Sequence, residues 1–411
     1  MSRATGIPVS NEALRAHARR LLEGGRVARR ELALAFEESS ATAAKLYVAG
    51  VRFYPPMLAD IQAATSTVHI NQFGFRSGLV GERFADALAE KARSGVPVRL
   101  VVDEQGSHPY DVSKDFYERL TRAGVEVVVT RATKLRVPFG PFGDETRPTR
   151  WNLSTVGHID HRKAVVVDGR VGWVGGAGIE DHFEDGRFHD LFVRLEGPVV
   201  SQLQLVFVAS FRWLGGTIPP GDADELFPRF DVGSGGAPAV VLHNAPGRYR
   251  PITDAIAELM DGAHETLDIV NPYVTDRGMI RRIEAAARRG VAVRLVVPAD
   301  PNNWACGAAE RFHHRRLQDA GVRILEYPTM VHAKAFVRDG EDVLAGTCNL
   351  EAWSLKRFFE LDVRVRSAEL ARQFADDFFG PAEEVSGPGT VPSGAKERAK
   401  AAAFAALSPF L

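Results

Sequence analysis

The chain has 411 residues, 45% of them hydrophobic and 25% charged, with 51 Lys and Arg balanced by 52 Asp and Glu for a net charge of -1. That is the composition of an ordinary globular protein with a sizeable core and two or three domains. It argues against a dedicated nucleic-acid binder, which carries a basic excess. Two cysteines, Cys306 and Cys348, cannot make a disulfide framework and suit a reducing compartment.

Residues 1–50 read as helical, and their start lacks the apolar stretch of a signal peptide. From Thr67 the chain alternates. "TVHINQFGF" is strand-like and "ERFADALAEKARS" has a helical period ending at Gly95. "GVPVRLVVD" is a Val-rich strand, and "AGVEVVV" from Ala123 is another. A Pro-, Gly- and aromatic-rich stretch follows, "TKLRVPFGPFGDETRPTRWNLSTVGHID", and then "HRKAVVVDG" from His161. The apolar run "GPVVSQLQLVFVASFRWLGG" is interrupted by Gln202, Gln204 and Arg212, so it reads as a buried or interfacial helix rather than a membrane span.

Beyond a turn-rich linker at 215–238 the same order returns. It runs "TLDIVNPYV" from Thr266, "RGMIRRIEAAARR", "GVAVRLVVP" from Gly290, "AGVRILEY" from Ala320, and "HAKAFVRDG" from His332. The chain is duplicated. The spacing between equivalent elements shortens by about 26 residues just before the His frames. That places an inserted loop beside the first frame. The alternation predicts α/β architecture, as two pseudo-twofold-related α/β/α halves sharing one site. The boundaries are a helical segment at 1–50, a first half at 51–214, the linker at 215–238, a second half at 239–384, and a flexible tail at 385–411. In the tail, Lys396, Arg398 and Lys400 precede Ala401, Phe404, Leu407, Phe410 and Leu411. This reads either as an interfacial helix with a basic collar or as a helix docked on its own domain. The insert, with Phe139, Phe142 and Trp151 beside Arg147 and Arg150, is a second candidate for membrane contact.

The chemistry sits in the repeated frame His-x-Lys-(four)-Asp. Read as a strand, His161 and Lys163 point to one face, as do His332 and Lys334. Asp168 and Asp339 stand at odd spacing before a Gly, a hairpin signal, so each Asp shapes the scaffold more than it touches substrate. Two facing imidazoles flanked by two ammonium groups suit a phosphodiester. One neutral His attacks phosphorus, and the other, protonated, serves the leaving alkoxide. A lone His is more often a packed or surface residue, but two matches at equivalent places make chance remote. A zinc reading of His158 and His161 is disfavoured by Lys163 on the same face and by the lack of a Cys cluster. No metal and no cofactor is expected.

These residues resemble the phospholipase D superfamily, whose mark is the doubled frame followed by G-[GST]-x-N. The second copy is complete, with Gly346, Thr347 and Asn349 in "GTCN". The first reads "GGAG", with Gly175 and Gly176 in place but Gly178 where Asn is expected. That change removes a phosphate hydrogen bond and can open room for a bulky substrate. Closer in, "FHDLFVRLEGPVV", "TLDIVNPYVTD", "NLEAWSLKRFFELDV" and the ending "LSPFL" resemble the bacterial cardiolipin synthase branch, over about residues 45–385. The amino-terminal membrane spans usual in that branch do not occur in this sequence. The resemblance implies that an acid downstream of each motif, Asp190 or Glu360, orients the His of the opposite half. It implies His161 as nucleophile and His332 as general acid. Gly176 and Asn349 would serve phosphate binding, and Thr347 would either bond phosphate or cap its turn. It implies a phosphatidyltransferase working through phosphohistidine, with phosphatidylglycerol as donor or acceptor. The alternatives are a phospholipase D that hydrolyses headgroups, a nuclease of the superfamily, and a silent scaffold. The expected partners are phospholipid and a membrane surface, with no nucleic acid. The expected form is a monomer, cytoplasmic and peripheral at the inner membrane face.

Overall fold

The computed structural model describes residues 7, 10–25, 27–131, 158–230, 235–247 and 249–410. The inserted stretch, with Phe139, Phe142, Arg147, Arg150 and Trp151, lies outside the described residues.

Two mixed sheets carry the fold. In the first the strands lie in the order Ala43–Val48, Leu191–Glu196, Val171–Gly175, Lys163–Val167, Val68–Gln72, Val98–Asp103, Glu126–Thr130. The second repeats that order as Ala237–Asn244, Glu360–Arg366, Asp342–Gly346, Ala335–Arg338, Thr266–Val270, Ala292–Pro298, Arg323–Tyr327. Two short edge strands, Ser39–Ala41 and Gly387–Pro388, are added at its ends. In each half the last three strands named are parallel, joined by crossover helices. Their near-continuous Val and Leu content reflects burial on both faces: Val98–Asp103 is buried at every position.

Local signals account for the helices. Asp276 caps Arg277–Arg288 by accepting from the N–H of Gly278 and Met279. Met279, Ile280, Ile283 and Ala286 form its buried stripe. The chain then turns at Gly290, whose φ of 95° is the left-handed conformation a helix end favours. The helix Val199–Trp213 is buried along almost its whole length. Gln202, Gln204 and Arg212, which interrupt its apolar run, each make a hydrogen bond, though the Gln204 amide oxygen has no partner among the described residues. Gln202 donates to Glu37 O at 2.8 Å and accepts from Val241 N at 2.8 Å, and Gln204 lies 2.8 Å from His69 Nδ1. Arg212 donates to Gly216 O at 3.0 Å. One apolar cluster runs through this helix into both sheets, so the halves share a core.

Three expectations need correction. The first 50 residues are not a separate helical segment. After the helix Asn11–Glu23, Ser39–Ala41 pairs with Ala237–Asn244 and Ala43–Val48 pairs with Leu191–Glu196, so this stretch joins both sheets. The strand Ala43–Val48 is the counterpart of Ala237–Asn244, and the repeat therefore begins before residue 51. The tail is not a flexible appendage. Gly387–Pro388 pairs with Arg323–Tyr327, and the helix Ala395–Ala406 buries Ala401 and Ala405 against Trp304–Asp319. Of the two readings of that helix, docking on its own domain is the one observed. No helix among the described residues is long and apolar enough to cross a membrane.

Candidate active site

The two frames meet where the sheets face each other. His161 and His332 stand just before the hairpin strands rather than within them, which begin at Lys163 and Ala335. Each is pinned by the other half. His161 N–H donates to Phe359 O at 2.9 Å, and His332 N–H donates to His189 O at 2.7 Å. The residue after each of those carbonyls is an acid that reaches the same imidazole. Glu360 places both carboxylate oxygens 3.1 Å from His161 Nδ1, and Asp190 Oδ2 lies 2.8 Å from His332 Nδ1. Both acids are fully buried. The reciprocity follows from the duplication: what each half does for the other's His is done in return.

The lysines lie alongside. Lys163 Nζ donates to His161 O at 2.6 Å, and Lys334 Nζ lies 2.9 Å from His332 Nδ1 and 3.1 Å from its Nε2. Aromatic walls close the sides. Phe73 and Phe358 stand at 5.1 and 6.0 Å from the His161 ring, and Phe183 and Phe188 at 5.6 and 5.8 Å from that of His332. Sequence reasoning missed these rings, since Phe in a strand or turn reads as core. It also missed Ser354, whose hydroxyl donates to Glu360, and the buried pair in which Arg162 grips Asp160 at 2.6 Å next to His161.

Thr347 and Gly176 take other roles than phosphate contact, and Asp168 and Asp339 stand in the scaffold. Each adopts a positive φ, 53° and 51°, in its hairpin turn. The Asp168 carboxylate accepts from the N–H of Thr65, Ser66 and Thr67, and Asp339 does the same for His264, Glu265 and Thr266. A strand separates each from its His, five residues in the first half and four in the second, about 13–17 Å of chain. Thr347 does not face phosphate. Its hydroxyl donates to Glu360 and accepts from Leu361 N at 2.9 Å, so it holds the orienting acid. Gly176 serves the same end by absence: a Cβ there would stand 2.5 Å from Asp190 Oδ1. Gly178 opens no room either. A Cβ at this place would stand 2.5 Å from Glu180 Oε2 and 2.9 Å from Gly74 O, because the Glu180 carboxylate, paired with Arg76, fills the space. Asn349 is buried, with no partner for its side-chain oxygen among the described residues.

Burial sets the electrostatics. It pulls the Lys163 ammonium down to about 8 and Lys334 to about 7, against the pull of Glu360 and Asp190. Burial and the adjacent Lys334 hold His332 down to about 3, opposed by Asp190. Burial, then Lys163 and Lys334, keep His161 well below the usual imidazole range. The two acids differ. Burial drives Glu360 up to about 8, opposed by Lys163 and the Ser354 and Thr347 hydroxyls. For Asp190 burial acts upward too, but His332, Lys334 and Leu191 N–H outweigh it, and it stays below the ordinary carboxylate range. Both imidazoles are thus biased toward the neutral form, and the one at His332 is backed by a firm carboxylate. A phosphodiester anion would engage the ammonium groups and remove their opposition to a proton on His332. His158, considered above as a metal ligand, lies 3.1 Å from an Arg29 guanidinium nitrogen.

Two facing imidazoles, two ammonium groups and reciprocal buried acids in a duplicated α/β fold define a phosphodiester-handling enzyme of the phospholipase D type. The family profile described as "Cardiolipin synthase, PLD-like domain" matches residues 57–207 and 256–380, and the chain belongs to this family of enzymes. It is 28% identical over 361 residues to the probable cardiolipin synthase YwiE of Bacillus subtilis (strain 168), covering 85% of this chain and 69% of that one. It is 29% identical over 343 residues to the cardiolipin synthase of Geobacillus kaustophilus (strain HTA426), covering 80% of this chain and 64% of that one. Among solved structures, the phosphatidylserine synthase of Haemophilus influenzae Rd KW20 matches with a TM-score of 0.69 at 10% identity, covering 91% of this chain and 97% of that chain. That likeness extends the shared fold over nearly the whole of both proteins.

Proposed function

We propose that the protein is a cardiolipin synthase-like phosphatidyltransferase that works through a phosphohistidine. The carrying observation is the crossed pairing. Each Nδ1 lies within hydrogen-bond distance of the other half's acid, and a proton donated there leaves Nε2 as the reacting atom. His161 Nε2 attacks phosphorus as the bond to the headgroup oxygen breaks. His332, with Asp190 behind it, gives its proton to that oxygen. Lys163, Lys334 and Asn349 carry the charge on the phosphoryl oxygens. In the second half-reaction an acceptor hydroxyl passes its proton to His332 and attacks phosphorus, and the P–N bond breaks. The relatives named for cardiolipin synthesis and the family match support phosphatidylglycerol as donor and acceptor. Incubating the purified protein with phosphatidylglycerol vesicles and identifying products by mass tests this. Cardiolipin with free glycerol is the expected outcome. Phosphatidic acid alone would make it a hydrolase, and no phosphatidyl turnover would sink both readings.

A further inference from the structure

The end of the sheets that holds the site also carries a set of exposed apolar side chains. In the first half the parallel strands end there: Gln72 pairs with Lys163, and Asp103 accepts from Asp160 N at 2.9 Å. The chain leaving those strand ends exposes Leu79 by 79%, Tyr110 by 41% and Val112 by 77%. In the second half Val270 ends its strand opposite Ala335, next to Lys334. The neighbouring strand Ala292–Pro298 leads into the helix that opens with Trp304, 50% exposed. The tail returns to the same place. Phe404 meets Trp304 edge-on at 4.9 Å, and Arg277 donates to Ala405 O at 2.9 Å. The final turn Ser408–Phe410 packs against Ala352–Lys356, the helix that follows Asn349, and leaves Leu407 and Phe410 exposed by 44% and 64%.

Single exposed apolar residues need no explanation. These lie on the chain that leaves the site-end strands in both halves and on the tail packed beside them, and two of their rings carry a cation. The Arg131 guanidinium stands 4.4 Å from the Tyr110 centroid, and the Lys400 ammonium 4.8 Å from that of Trp304. An aromatic ring beside an exposed cation suits the headgroup layer of a bilayer, where one end of the ring is apolar and the other wet. We propose that this end seats on an anionic phospholipid bilayer. The six apolar side chains enter the headgroup boundary, and Arg131 and Lys400 meet lipid phosphates. The seat brings His161 and His332 to a lipid still anchored by its acyl chains. Its purpose rests on the phospholipid reading above; its existence rests on the surface alone.

The test uses the full chain and the variants Val112→Asp and Phe410→Asp, one on each half and both well exposed. Sedimentation is measured with phosphatidylcholine vesicles, with and without phosphatidic acid, a monoester lipid the proposed chemistry cannot transfer. Wild-type protein should bind the anionic vesicles and each variant about tenfold less. Turnover of vesicle phosphatidylglycerol should fall in step, while turnover of short-chain monomeric phosphatidylglycerol stays unchanged. Undiminished vesicle binding by the double variant, equal binding of wild type to neutral and anionic vesicles, or equal loss on the monomeric substrate would each overturn the seat. Failure of the wild type on monomeric substrate would strike the functional reading instead, and the sedimentation result would still decide the surface.

Discussion

At the scale of single residues the site is symmetric in plan and asymmetric in charge. Asp190 stays ionised against His332, whereas burial brings Glu360 up to about 8 against His161. That favours His332 as the group that carries a proton and His161 as the neutral attacker. With a nitrophenyl phosphodiester, whose leaving group needs no acid, His332→Ala should still release a burst and trap a phosphate on His161, and His161→Ala should give none. Peptide mapping under alkaline conditions reads the result, and an adduct on His332 of the wild type would reverse the assignment. The lysines give a pH signature. Their ammonium forms bind the phosphodiester, and they lose protons near 7 for Lys334 and 8 for Lys163. The sign follows: kcat/KM, which reports the free enzyme, should fall as pH rises through that window. A profile flat to pH 9 would remove them as the anion clamp. Gly178 is the third residue test. Gly178→Asn puts a Cβ 2.5 Å from Glu180 Oε2, so it should cost about 1–3 kcal/mol in urea unfolding. Adding Glu180→Ala should recover part of that loss; full additivity would contradict the crowding.

At the scale of elements, the hairpin that follows each His is the unit that places it. Asp168 and Asp339 tie its turn to the start of the adjacent parallel strand through three backbone N–H groups each. Asp168→Ala should lower stability by about 2–3 kcal/mol, because those donors lose a charged acceptor. Its kcat, measured well below the unfolding temperature, should stay near wild type; a loss matching that of a His variant would make the Asp catalytic after all. Odd spacing from Lys and the Gly that follows made this role legible in sequence. The doubled strand-helix order was legible too, because Val-rich runs and Gly helix ends recur at one offset. The strand Ala43–Val48 was not. It is a short edge strand whose pattern mixes Ala, Lys and Tyr, and its identity depends on pairing with Leu191–Glu196 far along the chain. Ser354, the Phe walls and the hold of Thr347 on Glu360 escaped for the same reason, since their partners are set by tertiary contact and not by local period. The acids were named through family likeness, and only the fold shows them crossing between halves.

At the scale of the whole molecule, duplication is the mechanism's precondition. Neither half has both an imidazole and the acid that orients it: Glu360 serves His161 and Asp190 serves His332. The shared core through Val199–Trp213 and the amino-terminal strands that enter both sheets hold that crossing in register. Gln202, bridging Glu37 O and Val241 N inside that core, fastens the amino-terminal stretch to the second sheet. The central claim is one site built from two halves. The most direct measurement is phosphatidyl turnover by His161→Ala and His332→Ala, with circular dichroism and unfolding temperature recorded for each. On this account both variants keep the fold, and each loses about 100-fold or more on phosphatidylglycerol. Near-wild-type turnover in either folded variant would contradict the shared site.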